Sequence, residues 1–379
     1  MNLIVDENIA FANEAFSGFG KLELVDGRSI TNSTVDDADI LIVRSVTKVD
    51  RKLLAGSKVQ FVGTATIGTD HIDIEYLKKR NLGFADAKGC NADSVAEYVF
   101  TALLKAASEN NITLREKTIG VVGVGNIGSR IVRIAESFGM NVLKNDPPLE
   151  RAGIGKNYAA LDEILKADII TLHIPLSFEG VDKTYHLLNE NNLHLIKENA
   201  IIINTSRGPV IDNNVLLEET NKKNFSLILD VWEEEPHVNP GLLSKAKIAS
   251  AHIAGYSFEG KVNGTKMIYD SLCHHLKIKP AWTPKFPAID KPELTLSAGT
   301  SDEIILYKLF NSIYDIEEDD RRLREILNYK ADQQPAFFDR LRKTYPMRRE
   351  FTNYTILLSE QYKYLIPFLE SIHFKIKLI

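Results

Sequence analysis

"TIGVVGVGNIGSRIVRIAESFGMNVLKND", Thr118 to Asp146, decides how the rest of the chain is read. Its opening run reads as a strand and ends on Gly123-x-Gly125-x-x-Gly128, after which apolar residues recur at helical spacing. A strand that passes through three glycines into a helix suits a dinucleotide-binding turn. The glycines allow the tight turn, the approach of a pyrophosphate to the backbone, and close helix packing. The pyrophosphate would sit at the helix N-terminus, on outward-pointing N–H groups. By itself this pattern is weak, since glycine-rich turns are common. Here Asp146 comes 18 residues after Gly128, at the end of the next apolar run. A carboxylate at that place accepts hydrogen bonds from the adenosine ribose hydroxyls and repels a 2'-phosphate, so NAD is expected rather than NADP.

Outward from this stretch, similar apolar runs alternate with helical or polar segments. Before it come "LIVD" (3–6), "ADILIVRS" (38–45), "VQFVGTATIG" (59–68) and "LGFADA" (82–87); after it come "ADIITLHIP" (167–175), "NAIIINTSRG" (199–208) and "FSLILDVW" (225–232). They read as buried strands of parallel sheets, and their two series predict two α/β domains. "ADSVAEYVFTALLKAASEN" (92–110) has helical spacing and is expected to link them. The proline-dotted "KPAWTPKFPAIDKP" (279–292) reads as a linker to a third, α+β unit. That unit is expected to hold a strand from Leu294 to Ser297 and a helix opened by Thr300, with Glu303 completing a capping box. Strands in "NYTILLS" and "HFKIKLI" flank a helix in "EQYKYLIPFLESI", which must tolerate Pro367.

Composition bounds what the chain does. Its 379 residues exceed one hydrophobic core, and a net charge of -5 argues against a general nucleic-acid binder. Two cysteines, Cys90 and Cys273, are too few for a disulfide framework and suit a reducing compartment. Leu3-Ile4-Val5 is cut off by Asp6 and Glu7, too short for a signal peptide or a membrane span, so a cytoplasmic location is expected.

Candidate chemistry gathers after the later strands. Arg207 comes just after an apolar strand, where open α/β sheets place their ligands, and a guanidinium there can hold a carboxylate with two parallel hydrogen bonds. Asp230 ends a strand, Glu235 precedes Pro236, and His252 lies 17 residues beyond Glu235 among small residues. A histidine with a carboxylate partner is suited to moving a proton near neutral pH. On residue type alone, Arg207 also fits a structural ion pair. Most of the nine histidines must be bystanders.

With "NTSRG", "EEEP" and "HIAGYS" in this order, the chain resembles the D-isomer-specific 2-hydroxyacid dehydrogenase family from the N-terminus to about residue 280. The resemblance implies a Rossmann-type NAD domain (96–254) inserted in a flavodoxin-like split substrate domain (1–95 and 255–285). It implies Arg207, Glu235 and His252 as the catalytic three. For NAD it implies Gly123, Gly125, Asn126, Ile127, Gly128, Asp146, Thr205, Ser206, Arg207, Asp230 and Gly255, with Ile174 where one branch carries threonine. No metal is implied, because hydride transfer is the cofactor's own chemistry. The family's acids include lactate, glycerate and phosphoglycerate, and some relatives work as transcriptional corepressors instead.

"FVGTATIGTDHID" (61–73), "KGCNADSVAEYV" (88–99), "NDPP" (145–148) and the opening "LIVDENIAFANEAF" resemble one branch that acts on a phosphorylated hydroxy acid. That branch implies Ser45, Thr66 and Tyr256 as substrate contacts and a C-terminal dimerisation domain (286–379), hence a homodimer. In it lies "LRKTYPMRREF" (341–351), with Arg342, Lys343, Arg348 and Arg349 close together. By residue type this cluster suits a solvated basic loop or inter-subunit ion pairs. The resemblance adds the expectation that Arg348 or Arg349 reaches the partner's substrate phosphate.

Overall fold

The computed structural model describes residues 1–379 and divides into two compact units, residues 1–91 with 257–288, and residues 92–256 with 289–379. The first carries five parallel strands: β1 (Asn2–Asp6), β2 (Lys21–Val25), β3 (Ile40–Val43), β4 (Phe61–Thr64) and β5 (Gly83–Asp86). Their order is β2-β1-β3-β4-β5, the flavodoxin-like arrangement. β3 and β4 are wholly buried and read as continuous apolar runs. β2 adds a strand that the sequence pattern does not predict, because it lies at the sheet edge and its "KLELV" is largely exposed and lacks an apolar run. The helix Phe258–His275 packs on β4 and β5, its N-terminus capped by the Ser257 hydroxyl, which accepts from the Gly260 N–H at 2.8 Å.

The second unit carries β6 (Thr118–Val122), β7 (Asn141–Asn145), β8 (Ile169–Leu172), β9 (Ile201–Asn204), β10 (Ser226–Leu229) and β11 (Ala246–Ala249). All are parallel, in the order β11-β10-β9-β8-β6-β7. The chain order reverses around β6, and ligands of open parallel sheets bind outside the strands' carboxyl ends at such a point. The helix Ala92–Asn110 spans the predicted residues and is almost entirely buried.

A third sheet of parallel strands, β12 (Glu293–Thr295), β13 (Thr355–Leu358) and β14 (Lys375–Leu378), belongs to this same unit. The C-terminal segment shares one core with the helix Ala92–Asn110 and the helix Asn126–Phe138. Phe368 packs on Phe100 and Phe138 at ring-centroid distances of 5.9 and 4.7 Å, and Phe310 packs on Phe351 at 4.7 Å. Two local expectations need correction. The helix Asp302–Ile313 is capped by Ser301, not Thr300, and no capping box forms, because Glu303 turns into the core to accept the Leu114 N–H at 2.9 Å. β12 also starts and ends earlier than Leu294–Ser297. Pro367 is accommodated in the first turn of the helix Ile366–Ser371, where its missing N–H has no intrahelical partner to lose.

The basic cluster is not a solvated loop. Arg348 and Arg349 are only 5% and 8% exposed. Arg348 donates to the carbonyls of Ala254 (3.1 Å) and Ser94 (2.7 Å), pairs with Glu97 at 3.4 Å, and lies 3.8 Å over the Tyr314 ring. These partners belong to its own chain, so Arg348 is taken up as an internal brace rather than held out for a partner's phosphate. Arg349 donates to the Asn353 side chain at 3.3 Å. Glu97 also accepts the Phe351 N–H at 2.7 Å. Burial, with the charge of Glu350, nevertheless lifts its pKa well above the carboxylate range against the pull of Arg348.

Nearby, Asp319 accepts hydrogen bonds from the hydroxyls of Tyr314 (2.8 Å) and Tyr345 (2.7 Å). Burial raises its pKa from 3.8 to about 6, against those hydrogen bonds and Arg348. With the folded pKa raised, the native state holds the proton longer. Its stability contribution is therefore full below the unfolded pKa and lost as pH rises to about 6. An Asp319→Asn variant should lack this slope. Between pH 4 and 7 the parent should lose roughly 2 kcal/mol relative to it, as read by melting temperature or urea midpoint.

Candidate active site

Every site residue expected in the second unit falls beyond the carboxyl ends of its strands, on loops or at the start of a helix. Gly123 comes directly after β6 with φ +85°, in the left-handed region that favours glycine. A Cβ at Gly128 would fall 1.8 Å from the Gly123 carbonyl oxygen, whereas one at Gly125 would meet nothing within 4 Å. The helix Asn126–Phe138 begins at Gly125 with no side-chain cap, leaving the N–H groups of its first turn, Asn126 to Gly128, for a ligand. This closed turn beside open space fits a dinucleotide pyrophosphate. Gly128→Ala must displace backbone, and it should weaken NAD binding at least about tenfold in a fluorescence titration.

Asp146 lies just past β7 and holds both edges of this cradle. Its carboxylate accepts the Val124 N–H at 2.8 Å and the Leu149 N–H at 3.0 Å, capping the helix Pro147–Arg151. Ile174 lies past β8, and its Cγ2 is 2.6 Å from where a Gly123 side chain would start, so the two residues close on each other. Before it stands His173, bonded to the Thr171 hydroxyl at 2.8 Å and to the Thr205 hydroxyl at 3.4 Å. Burial alone pushes its pKa down to about 3, so the imidazole is neutral at physiological pH.

After β9, Asn204 builds the turn that presents Arg207. Its side-chain oxygen accepts the Ser206 N–H at 3.0 Å and hydroxyl at 2.9 Å, while its amide donates to the Arg207 carbonyl at 3.0 Å. The Arg207 guanidinium donates back to the Ser206 carbonyl at 2.7 Å. Sequence reading picks out Thr205, Ser206 and Arg207 but misses Asn204; a polar residue closing the apolar run "IIIN" is the available signal.

His252 and Glu235 lie side by side. His252 Nδ1 and Glu235 Oε2 are 2.8 Å apart, and Glu235 Oε1 accepts the Trp232 N–H at 2.9 Å. Burial opposes ionisation of Glu235, but His252, the Trp232 N–H and Arg342 outweigh it and hold its pKa below the usual range. An ionised Glu235 fixes the proton of a neutral imidazole on Nδ1, which leaves the Nε2 lone pair as the base. Asp230 supports the turn that carries His252 and is 1% exposed. Its carboxylate accepts from the Ser250 hydroxyl (2.6 Å), Ile253 N–H (2.7 Å) and Ala254 N–H (3.0 Å), and its carbonyl accepts the His252 N–H at 2.7 Å. His252 itself has φ +57°, an uncommon backbone state that these bonds hold. Gly255 and Tyr256 continue this loop. The Tyr256 ring packs edge-on against Tyr345 at 5.7 Å, and the Arg342 guanidinium lies 5.6 Å above it.

In the first unit, Ser45 is exposed after β3 and Thr66 is half-buried after β4, at the carboxyl ends of neighbouring strands. The Thr66 hydroxyl bonds that of Thr64 at 2.7 Å, which contacts His71 Nε2 at 3.0 Å. Arg44, beside Ser45, donates to Asp6 at 3.0 Å.

Fold and site together define an NAD-dependent dehydrogenase of 2-hydroxy acids. The model of the "D-isomer specific 2-hydroxyacid dehydrogenase, NAD binding domain" matches residues 93–254, and that of a domain of unknown function matches 286–366. The erythronate-4-phosphate dehydrogenase of Proteus mirabilis is 42% identical over 361 residues, 94% of this chain and 95% of that protein. The enzyme of the same name from Cronobacter sakazakii is 43% identical over 93% of each chain. The chain thus belongs to the erythronate-4-phosphate dehydrogenase branch of the D-isomer-specific 2-hydroxyacid dehydrogenase family. Among solved structures, the D-lactate dehydrogenase of Aquifex aeolicus complexed with NAD and lactic acid aligns with TM-score 0.60 and 26% identity. It covers 73% of this chain and 96% of its own. No helix is long and apolar enough to cross a membrane.

Proposed function

We propose that the chain oxidises 4-phospho-D-erythronate to 2-oxo-3-hydroxy-4-phosphobutanoate with NAD, as a cytoplasmic homodimer, in a step towards pyridoxal 5'-phosphate. The observation that carries the reaction type is the 2.8 Å pair of Glu235 and His252 on a turn pinned by Asp230. The substrate rests on the relatives that carry this name over nearly the whole chain.

The turn Gly123 to Gly128 and Asp146 would hold NAD, which would supply the acceptor for the C2 hydride. The chain's own residues handle the proton and the charge. His252 takes the C2 hydroxyl proton on Nε2, and Glu235, bonded to Nδ1, orients the ring and stabilises its cationic form. Arg207 holds the substrate carboxylate and stabilises charge developing on the C2 oxygen. Ser45, Thr66 and Tyr256 bind the remainder of the acid.

The test is the growth of NADH absorbance with 4-phosphoerythronate, 3-phosphoglycerate and lactate in parallel. A higher kcat/KM for 3-phosphoglycerate would move the substrate to the three-carbon acid. NAD binding without oxidation of any acid would favour a corepressor-like role. Light scattering of the full chain reads the dimer directly.

A further inference from the structure

The C-terminal segment sends one side chain towards the acid–base pair. Arg342 lies near the end of the helix Gln334–Lys343, with its guanidinium 5.6 Å from the Tyr256 ring centroid. Its Nε is buried and has no hydrogen-bond partner. A buried donor left unmet costs free energy, so the position is poor as mere packing. The groups whose charge reaches Arg342 are Tyr256, Glu235 and Asp230. Glu235 in turn is bonded to His252 at 2.8 Å, and the charge of Arg342 helps hold its pKa down. Beyond Tyr256 stands Tyr345, hydrogen-bonded to Asp319 and within reach of Arg348.

We propose that Arg342 is a positioning residue of the active site: its guanidinium holds the Tyr256 ring in the His252 loop and sets a fixed positive charge facing the Glu235 carboxylate. The C-terminal segment is then part of the catalytic machinery of its own subunit, beyond any part it takes in dimerisation. Burial opposes the charge on Arg342 itself, but Tyr256 and Glu235 outweigh it, so the cation persists. The inference rests on the dehydrogenase reading above.

Loss of a nearby cation makes every neighbouring group easier to protonate. In Arg342→Gln, the acidic limb of kcat/KM for hydroxy-acid oxidation should therefore move to higher pH, by about 0.5–1.5 units. Arg342→Lys keeps the charge and should show little of this shift, with NAD affinity unchanged in both. Arg342→Met, whose apolar stem can still cover Tyr256, replaces the glutamine variant if that does not fold. A profile that superimposes on the parent's overturns the proposal, as does an equal shift in the lysine variant, which would mean packing rather than charge. Failure of both neutral variants to fold also overturns it, by making Arg342 a folding residue. If the parent oxidises no acid, the dehydrogenase reading itself fails, an outcome distinct from these.

Discussion

His252→Ala is expected to lower kcat by about 10²- to 10⁴-fold, the usual worth of a general base, while NAD still binds with parental affinity. The geometry separates the two properties. The turn proposed to take the pyrophosphate runs from Gly123 to Gly128 and is tied by Asp146, whose hydrogen bonds to Val124 and Leu149 do not involve His252. The turn that carries His252 is held by backbone and Asp230 contacts, so it should survive loss of the imidazole. Stopped-flow NADH absorbance measures the first quantity and fluorescence titration the second. Retained turnover would remove His252 from its role. Loss of NAD affinity alongside kcat would mean that the imidazole supports the cofactor loop rather than the proton.

Arg348→Met should damage stability strongly, lowering the free energy of unfolding by about 3–5 kcal/mol. Its side chain is buried and donates to Ala254, Ser94 and Glu97, so truncation strips this donor from two carbonyls and one carboxyl oxygen. Methionine keeps the apolar stem against Tyr314, which confines the loss to the polar head. The urea midpoint, monitored by circular dichroism, gives the magnitude. A midpoint within experimental scatter of the parent's would show that water or a rearranged side chain takes over these contacts.

Much of this fold is legible in the sequence because buried parallel strands advertise themselves. The runs ending at Val122, Leu172, Ile203 and Leu229 are mostly apolar, and open parallel sheets take their ligands in the loops beyond the strands' carboxyl ends. The glycine turn and the long helix are legible for the same reason: their periodicity is strong and local. β2 and β11 are not, since an exposed edge strand and a four-residue "AKIA" carry little pattern. The supporting role of Asp230 is hidden because hydrogen bonds across 20 or more residues leave no spacing signal. The basic cluster misleads for a physical reason as well. Arginines close together suggest solvent or an anion, and only the fold brings Glu97 and the carbonyls of Ser94 and Ala254 to Arg348. Arg342, 107 residues beyond Glu235 in the chain, has no local mark at all.

The hydrophobic core that joins the helix Ala92–Asn110 to Phe310, Phe351 and Phe368 means that the familiar cofactor module is not portable here. A protein cut after residue 288 would expose Phe100, Leu103 and Phe138 on one side and invite aggregation. A chimera that borrows residues 93–254 must carry the C-terminal segment with it or repaint that face with polar side chains. The C-terminal segment is therefore not a mere tail, for it packs on an apolar face of a helix about 200 residues upstream.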